Sequence, residues 1–286
     1  MKTVQLVKKN KSDLKYISVK TRLIKPLVLV FGNRFLLEAE DLFEEIKALF
    51  PDGEIVFGSS CADITSSSVN ENCISITAIE FERSSFVIKT SNVLNTNSDS
   101  FKTGSDLIQQ FPKEGLKYVF VVSEGSFING SQLTRGMNNA SDDNLLITGA
   151  LCGDSDRFEK TLASYNENPK QGEIVAIGFY SATLEVTFSI YGGWTPFGPE
   201  RIVTKSEGNV MFELDNQPAL DLYKKYLGEK AKDLPAAALL YPLNVKSKEA
   251  KQTIVRSILN IDETRNAMIL AGDIREGSIV QLMMTN

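Results

Sequence analysis

The sequence predicts a mixed α/β fold in which a β-α-β-β-β unit is duplicated and a smaller α+β domain follows. The apolar runs at residues 27–31 (LVLVF) and 118–122 (YVFVV) lie ninety-one positions apart and align without a gap. At the same spacing VFGSSCADI (56–64) aligns with ITGALCGDS (147–155), which places Gly58, Cys61 and Asp63 on Gly149, Cys152 and Asp154. Two copies of a unit usually pack about an approximate two-fold axis, and we expect equivalent loops to meet near it.

Each copy begins with a strand buried on both faces, because its apolar run is continuous. A helix follows, and its apolar positions Leu42, Ile46 and Leu49 align with Leu133, Met137 and Ala140 in the second copy. The second strand of each copy, at 54–58 or 145–149, ends at a glycine. A strand, a crossover helix and a strand predict a right-handed parallel unit.

Two further strands complete each copy. They are expected at 73–81 and 86–89 in the first copy, and at 173–180 and 184–190 in the second. A helix at 100–111 links the copies, and residues 156–171 hold an insertion of about eight residues that only the second copy has.

The remaining segments set the domain boundaries. Residues 1–24, rich in lysine, are predicted to be a solvated N-terminal extension. The duplicated domain spans 25–215, with copies at about 25–92 and 116–191, and a partial C-terminal α+β domain spans 216–286. The Gly- and Pro-rich stretch at 192–209 is interpreted as loop and turns. A helix at 218–227 and strands at 252–259, 267–270 and 278–284 are expected after it.

Composition excludes several classes of function. A net charge of −5 is inconsistent with a broad nucleic-acid footprint, and no apolar run approaches the length of a membrane span. Three cysteines are typical of a reducing cytosol rather than of a disulfide framework. The chain has no histidine, which removes Ser-His-Asp and Cys-His nucleophile pairs and the commonest zinc sites. No catalytic residue, metal ligand or cofactor is therefore assigned.

The loops after the second strand of each copy are the best candidates for a binding site, because ligands favour the carboxyl ends of parallel strands. Ser126 and Asn129 precede the second repeat helix, where they either bind an anion or cap the helix. Trp194 either stacks on a ligand or fills a seam between the domains. The eleven candidate ligand-binding residues are Gly58, Ser59, Ser60, Cys61, Ser126, Asn129, Gly149, Cys152, Gly153, Asp154 and Trp194.

Simpler interpretations exist for the same loops. The glycines could serve the turns alone, and Cys61 and Cys152 could be small buried side chains, redox sensors or nucleophiles. Among binding roles, Asp154 is the expected acceptor for an ammonium group.

Longer motifs resemble a known family. GALCGDSDRFEKT (149–161) resembles the G-G-x-A-G-D…F…T signature of the FIST sensory domain, with Ala150 at the second glycine and Cys152 at the alanine. The stretch from Gly193 to Gly228 resembles the passage that joins the two parts of that domain. YPLNV (241–245), VRSILNID (255–262) and GDIREGSIVQLM (272–283) are similar to the first half of its C-terminal part.

The resemblance implies a cytoplasmic sensory module that binds a small polar metabolite, such as an amino acid, for signal transduction. Its output partner would be a protein such as a kinase or a chemotaxis transducer. Two alternatives remain open at this stage: a thiol-dependent hydrolase or transferase that uses Cys152 or Cys61, and an interaction module that dimerises through sheet edges.

Overall fold

The computed structural model describes residues 1–9, 14–65, 68–142, 144–157, 159–189, 192–246 and 253–285. The chain divides into two compact units, Met1–Thr187 and Phe188–Asn286. Among the described residues, no helix is both long enough and apolar enough to cross a membrane.

The first unit combines strands and helices in the order that its alternating patterns predict. Its strands are β1 (Lys2–Lys9), β2 (Lys15–Tyr16), β3 (Leu27–Gly32), β4 (Glu54–Ser59), β5 (Asp63–Ile64), β6 (Val69–Asn70), β7 (Cys73–Glu80), β8 (Ser85–Asn92), β9 (Leu116–Ser123), β10 (Leu146–Leu151), β11 (Ala163–Tyr165) and β12 (Glu173–Tyr180). Its helices are α1 (Arg34–Leu37), α2 (Leu42–Leu49), α3 (Ser100–Gln109) and α4 (Gly130–Ala140), with a 3-10 turn at Val93–Thr96.

Two sheets form the centre of this unit. The first has the strand order β11-β4-β3-β7-β1-β2, and the second has the order β10-β9-β12-β8. In each, a parallel pair lies beside an antiparallel strand: β3 and β4 beside β7, and β9 and β10 beside β12. The mixed α/β class is therefore confirmed.

Alternation along the strands produces three cores. Val28 and Val30 of β3 face a core that includes Leu42 and Ile46 of α2. On the other side of the molecule, α3 and α4 pack against the second sheet through Leu107, Leu133, Val119 and Val121. The third core lies between the sheets, and its members include Leu27, Val56, Val122, Ala163, Val175, Ile177 and Phe179. The unit is thus a four-layer sandwich of helix, sheet, sheet and helix.

Segments are exchanged between the two sheets. β8 follows β7 of the first sheet along the chain but pairs with β12 of the second sheet. β11 follows β10 of the second sheet but pairs antiparallel with β4 of the first sheet. The hairpin predicted between β7 and β8 is therefore wrong, and the sequence predicts no strand at β11.

Two predictions about strands in this unit are wrong. The N-terminal extension is not solvated throughout, because Lys2–Lys9 forms β1 on the edge of β7 and buries Val4 and Leu6, while most of residues 17–24 are exposed. The apolar side chains that alternate with its lysines account for this. Residues 184–189 form no strand, although Leu184 packs against the core between the sheets. The last residue of that predicted strand, Ile190, lies outside the described residues.

The pairing register differs by one residue from the sequence repeat. In the first sheet Leu27 pairs with Glu54, whereas in the second its counterpart Tyr118 pairs with Leu146. The hydrogen bonds beyond the strands agree: the Ser60 N–H donates to the Gly32 carbonyl, and the Cys152 N–H donates to the Ser123 carbonyl. In position, Cys152 thus corresponds to Ser60, and Cys61 corresponds to Gly153.

The second unit contains an eight-stranded sheet with the order β17-β16-β20-β13-β14-β19-β18, and β15 pairs with β14. The strands are β13 (Trp194–Glu207), β14 (Val210–Leu214), β15 (Gln217–Pro218), β16 (Leu243–Lys246), β17 (Ile254–Arg256), β18 (Ile258–Asp262), β19 (Ala267–Leu270) and β20 (Ile279–Thr285). Helix α5 spans Ala219–Leu227, and 3-10 segments span Gly228–Asp233 and Ala236–Leu240. The predicted loop at 192–209 is wrong, because most of it forms β13. Its glycine marks an irregularity instead: Gly198 has φ +71, and the register with β20 shifts between Phe197 and Arg201.

Candidate functional site

A cavity of about 250 Å³ lies between the two sheets at the carboxyl ends of their parallel strands. Its walls combine apolar side chains with residues of the two loops that follow β4 and β10. The lining residues are Phe31, Ser59, Ser60, Cys61, Phe120, Val121, Val122, Ala150, Leu151, Cys152 and Gly153. The two loops thus converge as predicted, and they meet at a pocket that is open to solvent beside Cys61, Ala150 and Leu151.

Close backbone packing positions the two loops. The Gly153 N–H donates to the Ser59 carbonyl at 2.9 Å, which joins the loop after β10 to the end of β4. A Cβ atom on Gly153 would lie only 2.5 Å from the Cys61 sulfur. A side chain at this position would have to displace the Cys61 thiol, so glycine allows the two loops to approach this closely.

The two strand glycines of the prediction have packing roles. At Gly58, a Cβ would lie 2.8 Å from Val122 and 2.9 Å from the Phe31 ring, so this residue sets the approach of β4 to the second sheet. At Gly149, a Cβ would lie 2.1 Å from the Val121 carbonyl oxygen of the neighbouring strand. Neither lines the cavity, but Gly58 touches two residues that do.

The residues before α4 have capping and network roles. The Asn129 side chain accepts a hydrogen bond from the Gln132 N–H at 3.0 Å, which is the geometry of an N-cap. The Ser126 hydroxyl accepts from the Thr161 N–H at 3.1 Å. Trp194 belongs to the other compact unit, where it begins β13 opposite Thr285.

Asp154 is held inside an ionic cluster. Its side chain is 1% exposed, and one oxygen accepts from Arg34 Nε at 2.9 Å and from Arg157 at 2.8 Å. The other oxygen accepts from the backbone N–H groups of Glu159 and Lys160. Burial raises the pKa of this carboxyl, but the two guanidinium groups and the two N–H donors outweigh burial and hold it below its usual value.

The same cluster extends to the first helix. Arg34, 8% exposed, also donates to Glu159 at 3.0 Å, and both arginines lie over the Phe35 ring. Lys160 pairs with Glu38 at 2.6 Å. These contacts join α1 and the residue after it to the loop after β10. The sequence gives no signal for this cluster, since Arg34 and Asp154 are far apart along the chain.

The surroundings of Cys152 and Cys73 disfavour a nucleophilic thiolate. Burial raises the pKa of Cys152 to about 12, with a smaller effect from the Glu124 carboxylate. Burial likewise raises the pKa of Cys73 to about 11, beside Asp63. A thiol needs a nearby cation or helix N-terminus to be a thiolate at neutral pH, and these two have the reverse.

We expect alkylation to distinguish the exposed Cys61 from the two cysteines whose thiol pKa is raised. Iodoacetamide at neutral pH should modify the exposed Cys61 and leave Cys152 and Cys73 largely unmodified, as measured by peptide mass spectrometry. The Cys152 rate should still rise above a pH of about 10, because its thiolate is scarce below that. Fast modification of Cys152 near a pH of about 6 would contradict the raised pKa and favour the hypothesis of a thiol-dependent enzyme.

A buried acid that the sequence does not mark lies next to the cavity loop. Glu124 is fully buried, and its carboxylate accepts hydrogen bonds from the Ser126 and Phe127 N–H groups and from the Thr161 hydroxyl. The Thr161 hydroxyl also accepts from the Gly125 N–H at 2.7 Å. Each oxygen is thus used to fold the loop between β9 and α4. Within the described residues, no group of three or more cysteine or acidic side chains could hold a metal ion.

Comparison with protein families decides the relationship. The model of the FIST N domain matches residues 26–217, and that of the FIST C domain matches residues 219–286. The chain belongs to the FIST family. Its two matched parts divide near residue 218, whereas the compact units divide between Thr187 and Phe188. No curated protein matched the chain.

FIST domains are sensory domains of signal transduction proteins. That role implies a small-molecule ligand and a signalling output. The first 25 residues, which include β1 and β2, precede the matched region. The cavity between the sheets lies wholly within the FIST N match.

Proposed function

We propose that this FIST domain senses a small molecule that occupies the cavity between its two sheets. The observation that carries the proposal is the position of the cavity, where the carboxyl ends of two parallel strand pairs meet. Ligands of open α/β sheets bind at such ends. An internal duplication related by an approximate two-fold axis would account for this meeting of equivalent loops.

The lining indicates the class of ligand. Phe31, Phe120, Val122 and Leu151 offer apolar surface, and the polar groups are confined to the strand-end loops. Binding pockets typically have this composition, with a few polar groups that orient the ligand. We infer an amino acid with an apolar side chain, or a molecule of similar size, with its polar end at the loop that contains Ser60.

The structure disfavours the expectation that Asp154 accepts the ammonium group of a ligand. Asp154 is occupied by two arginines and two backbone donors, so a ligand ammonium group would have to displace an existing ion pair. Backbone carbonyls and the hydroxyl of Ser60 at the cavity wall are the more accessible partners. Ser60 donates to Asp63 at 3.0 Å, which orients its oxygen as an acceptor.

The test is a thermal-shift screen of the standard L-amino acids and their 2-oxo acid analogues. A ligand present at a hundredfold its Kd should stabilise the protein by about 2.7 kcal/mol. The expected result is a rise in Tm for one or more apolar members and none for charged members. If no compound raises Tm while calorimetry shows a cooperatively folded protein, the proposal fails.

Two variants that replace alanine with phenylalanine, one inside the cavity and one outside it, provide the matched control. Ala150→Phe places a ring in the space and should abolish the shift, while Ala182→Phe, on an exposed turn, should retain it. Persistence of the full shift in Ala150→Phe would place the ligand elsewhere.

The output is the second part of the proposal. Ligand binding would favour one arrangement of the loops after β4 and β10, since only a difference in affinity shifts a population. A cytoplasmic signalling protein such as a kinase or a chemotaxis transducer would receive that change. The non-catalytic role is supported by the raised pKa of the Cys152 thiol, one of the two candidate nucleophiles.

A further inference from the structure

The outer edge of β10 differs from every other sheet edge in the first unit. Among the described strands, β10 pairs with β9 alone. It carries neither a charged residue nor a proline, and Gly149, Ala150 and Leu151 are exposed. The other described edges have the usual protection: β2, β5, β6 and β11 are very short, and β8 contains Lys89.

The molecule itself shows what covers the equivalent edge. In the first sheet β11 lies antiparallel along β4, with Ala163 opposite Gly58 and Tyr165 opposite Val56. The Ser59 N–H donates to the Leu162 carbonyl, and the Ile55 N–H donates to the Asn166 side chain. β11 comes from the insertion that only the second copy has, so β10 lacks the corresponding cover.

The strand register shows which backbone N–H groups of β10 point away from β9. The Cys152 N–H points to β9, because it donates to the Ser123 carbonyl. By the two-residue alternation of a strand, the N–H groups of Ile147, Gly149 and Leu151 point away from β9. When β10 is superposed on β4 with the one-residue shift described above, these three residues correspond to Ile55, Phe57 and Ser59. Those are the residues of β4 whose N–H groups point to β11.

The first sheet extends past the edge of β10, so a strand added to β10 would pack against the first sheet. β4 lies against β9 and β11 against β12, so β3 faces β10 and β7 continues beyond it. Phe31 of β3 and Ala150 of β10 line one cavity, in agreement with this order. The side chains of β7 on the inner face, Ser75, Thr77 and Ile79, are half-buried and lie outside the core between the sheets.

We propose that β10 is the docking strand for an extended, uncharged segment of a partner protein, which adds antiparallel to it as β11 adds to β4. Strand addition of this kind takes its affinity from main-chain hydrogen bonds and its specificity from alternate side chains. Side chains that point inward would meet Ser75 and Thr77, so small, hydroxylated or tyrosine side chains fit there. The segment would also pass beside the cavity, because Ala150 and Leu151 belong to both.

A second copy of the chain does not fit this edge. Antiparallel pairing of β10 with β10 of a second copy would bring the overhanging strands β7, β1 and β2 of both copies into the same layer. The occupant is therefore one strand wide. This proposal does not depend on whether the cavity binds a ligand.

The experiment uses the chain's own covering segment as the probe. A peptide copying the uncharged stretch Leu162–Asn166, with acetylated and amidated ends, is titrated into the ¹⁵N-labelled protein, and the amide signals of Ile147, Gly149 and Leu151 are followed by NMR. We expect saturable shifts and slower hydrogen exchange at these amides. A peptide with proline in place of Ser164 should bind about tenfold more weakly, because proline removes a donor and obstructs pairing.

The matched protein variants are Ile147→Pro and Ile147→Ala. Both remove the same packing, but only proline removes the outward N–H, so only Ile147→Pro should lose peptide binding. Absence of shifts at β10, or equal binding of the proline peptide to the unmodified protein, would overturn the proposal. Concentration-dependent dimerisation that protects the β10 amides without peptide would also overturn it, since the occupant would then be a second copy.

Discussion

Replacing Arg34 with methionine is expected to lower the free energy of unfolding at neutral pH by about 3 kcal/mol, because it leaves a buried carboxylate without one of its two cations. The Asp154 side chain is 1% exposed, so water cannot replace the lost partner. Urea unfolding measures the effect. Arg157→Met is the matched control, and it should cost less because that side chain is 27% exposed and leaves Arg34 in place.

The pH dependence follows from the same carboxyl. Its folded-state pKa is held below the unfolded value, so its stabilisation is fully present above a pH of about 4 and is lost as pH falls through the folded pKa. The gap between the unmodified protein and Arg34→Met should therefore narrow in acid. Adding Asp154→Asn to Arg34→Met should recover part of the loss. A gap that stays constant from neutral to acidic pH would show that the cost arises from packing alone.

Replacing Gly136 with alanine should destabilise the first unit by about 2 to 3 kcal/mol. Helix propensity alone predicts a gain of about 1 kcal/mol, since glycine is the poorer helix former. The contact opposes this gain: a Cβ on Gly136 would lie 2.0 Å from the Phe101 carbonyl oxygen of α3. Because that atom is backbone, the two helices must separate, and the lost packing outweighs the propensity.

Thermal and urea unfolding measure this effect. Gly193→Ala is the control, because a Cβ there meets nothing within 4 Å. We expect no more than a few tenths of a kcal/mol for the control. If Gly136→Ala raised the stability instead, α3 and α4 would not be in backbone contact.

Local patterns in the sequence predicted much of this fold. The apolar runs became β3 and β9, and the helix positions Ile46 and Met137 are buried as expected. The glycine-containing loops after β4 and β10 do meet. These successes share a cause, because a strand between two layers and the buried face of a helix each leave a pattern within a few residues.

The failures involve pairing across distance. Nothing local indicates that β8 joins the other sheet, or that β1 takes an edge of β7. The one-residue register shift in β10 is also invisible, since the sequences align without a gap through Cys61 and Cys152. The alignment therefore paired two cysteines that the hydrogen bonds do not pair.

Of the candidate ligand-binding residues, five line the cavity: Ser59, Ser60, Cys61, Cys152 and Gly153. Its apolar walls were recognised only as strand core, because a side chain beside a void and one inside a packed core have the same sequence signature. Asp154 was expected to meet a ligand, and its partner Arg34 had no motif to reveal it.

NMR mapping of the amides that shift when the best compound from the amino-acid screen is titrated would locate the bound ligand. We expect the largest shifts at Ser59–Cys61 and Ala150–Gly153, with smaller ones at Phe31 and Phe120. Shifts concentrated instead at the open polar groove formed by Thr90, Asn92, Lys170 and Glu173 would contradict this expectation.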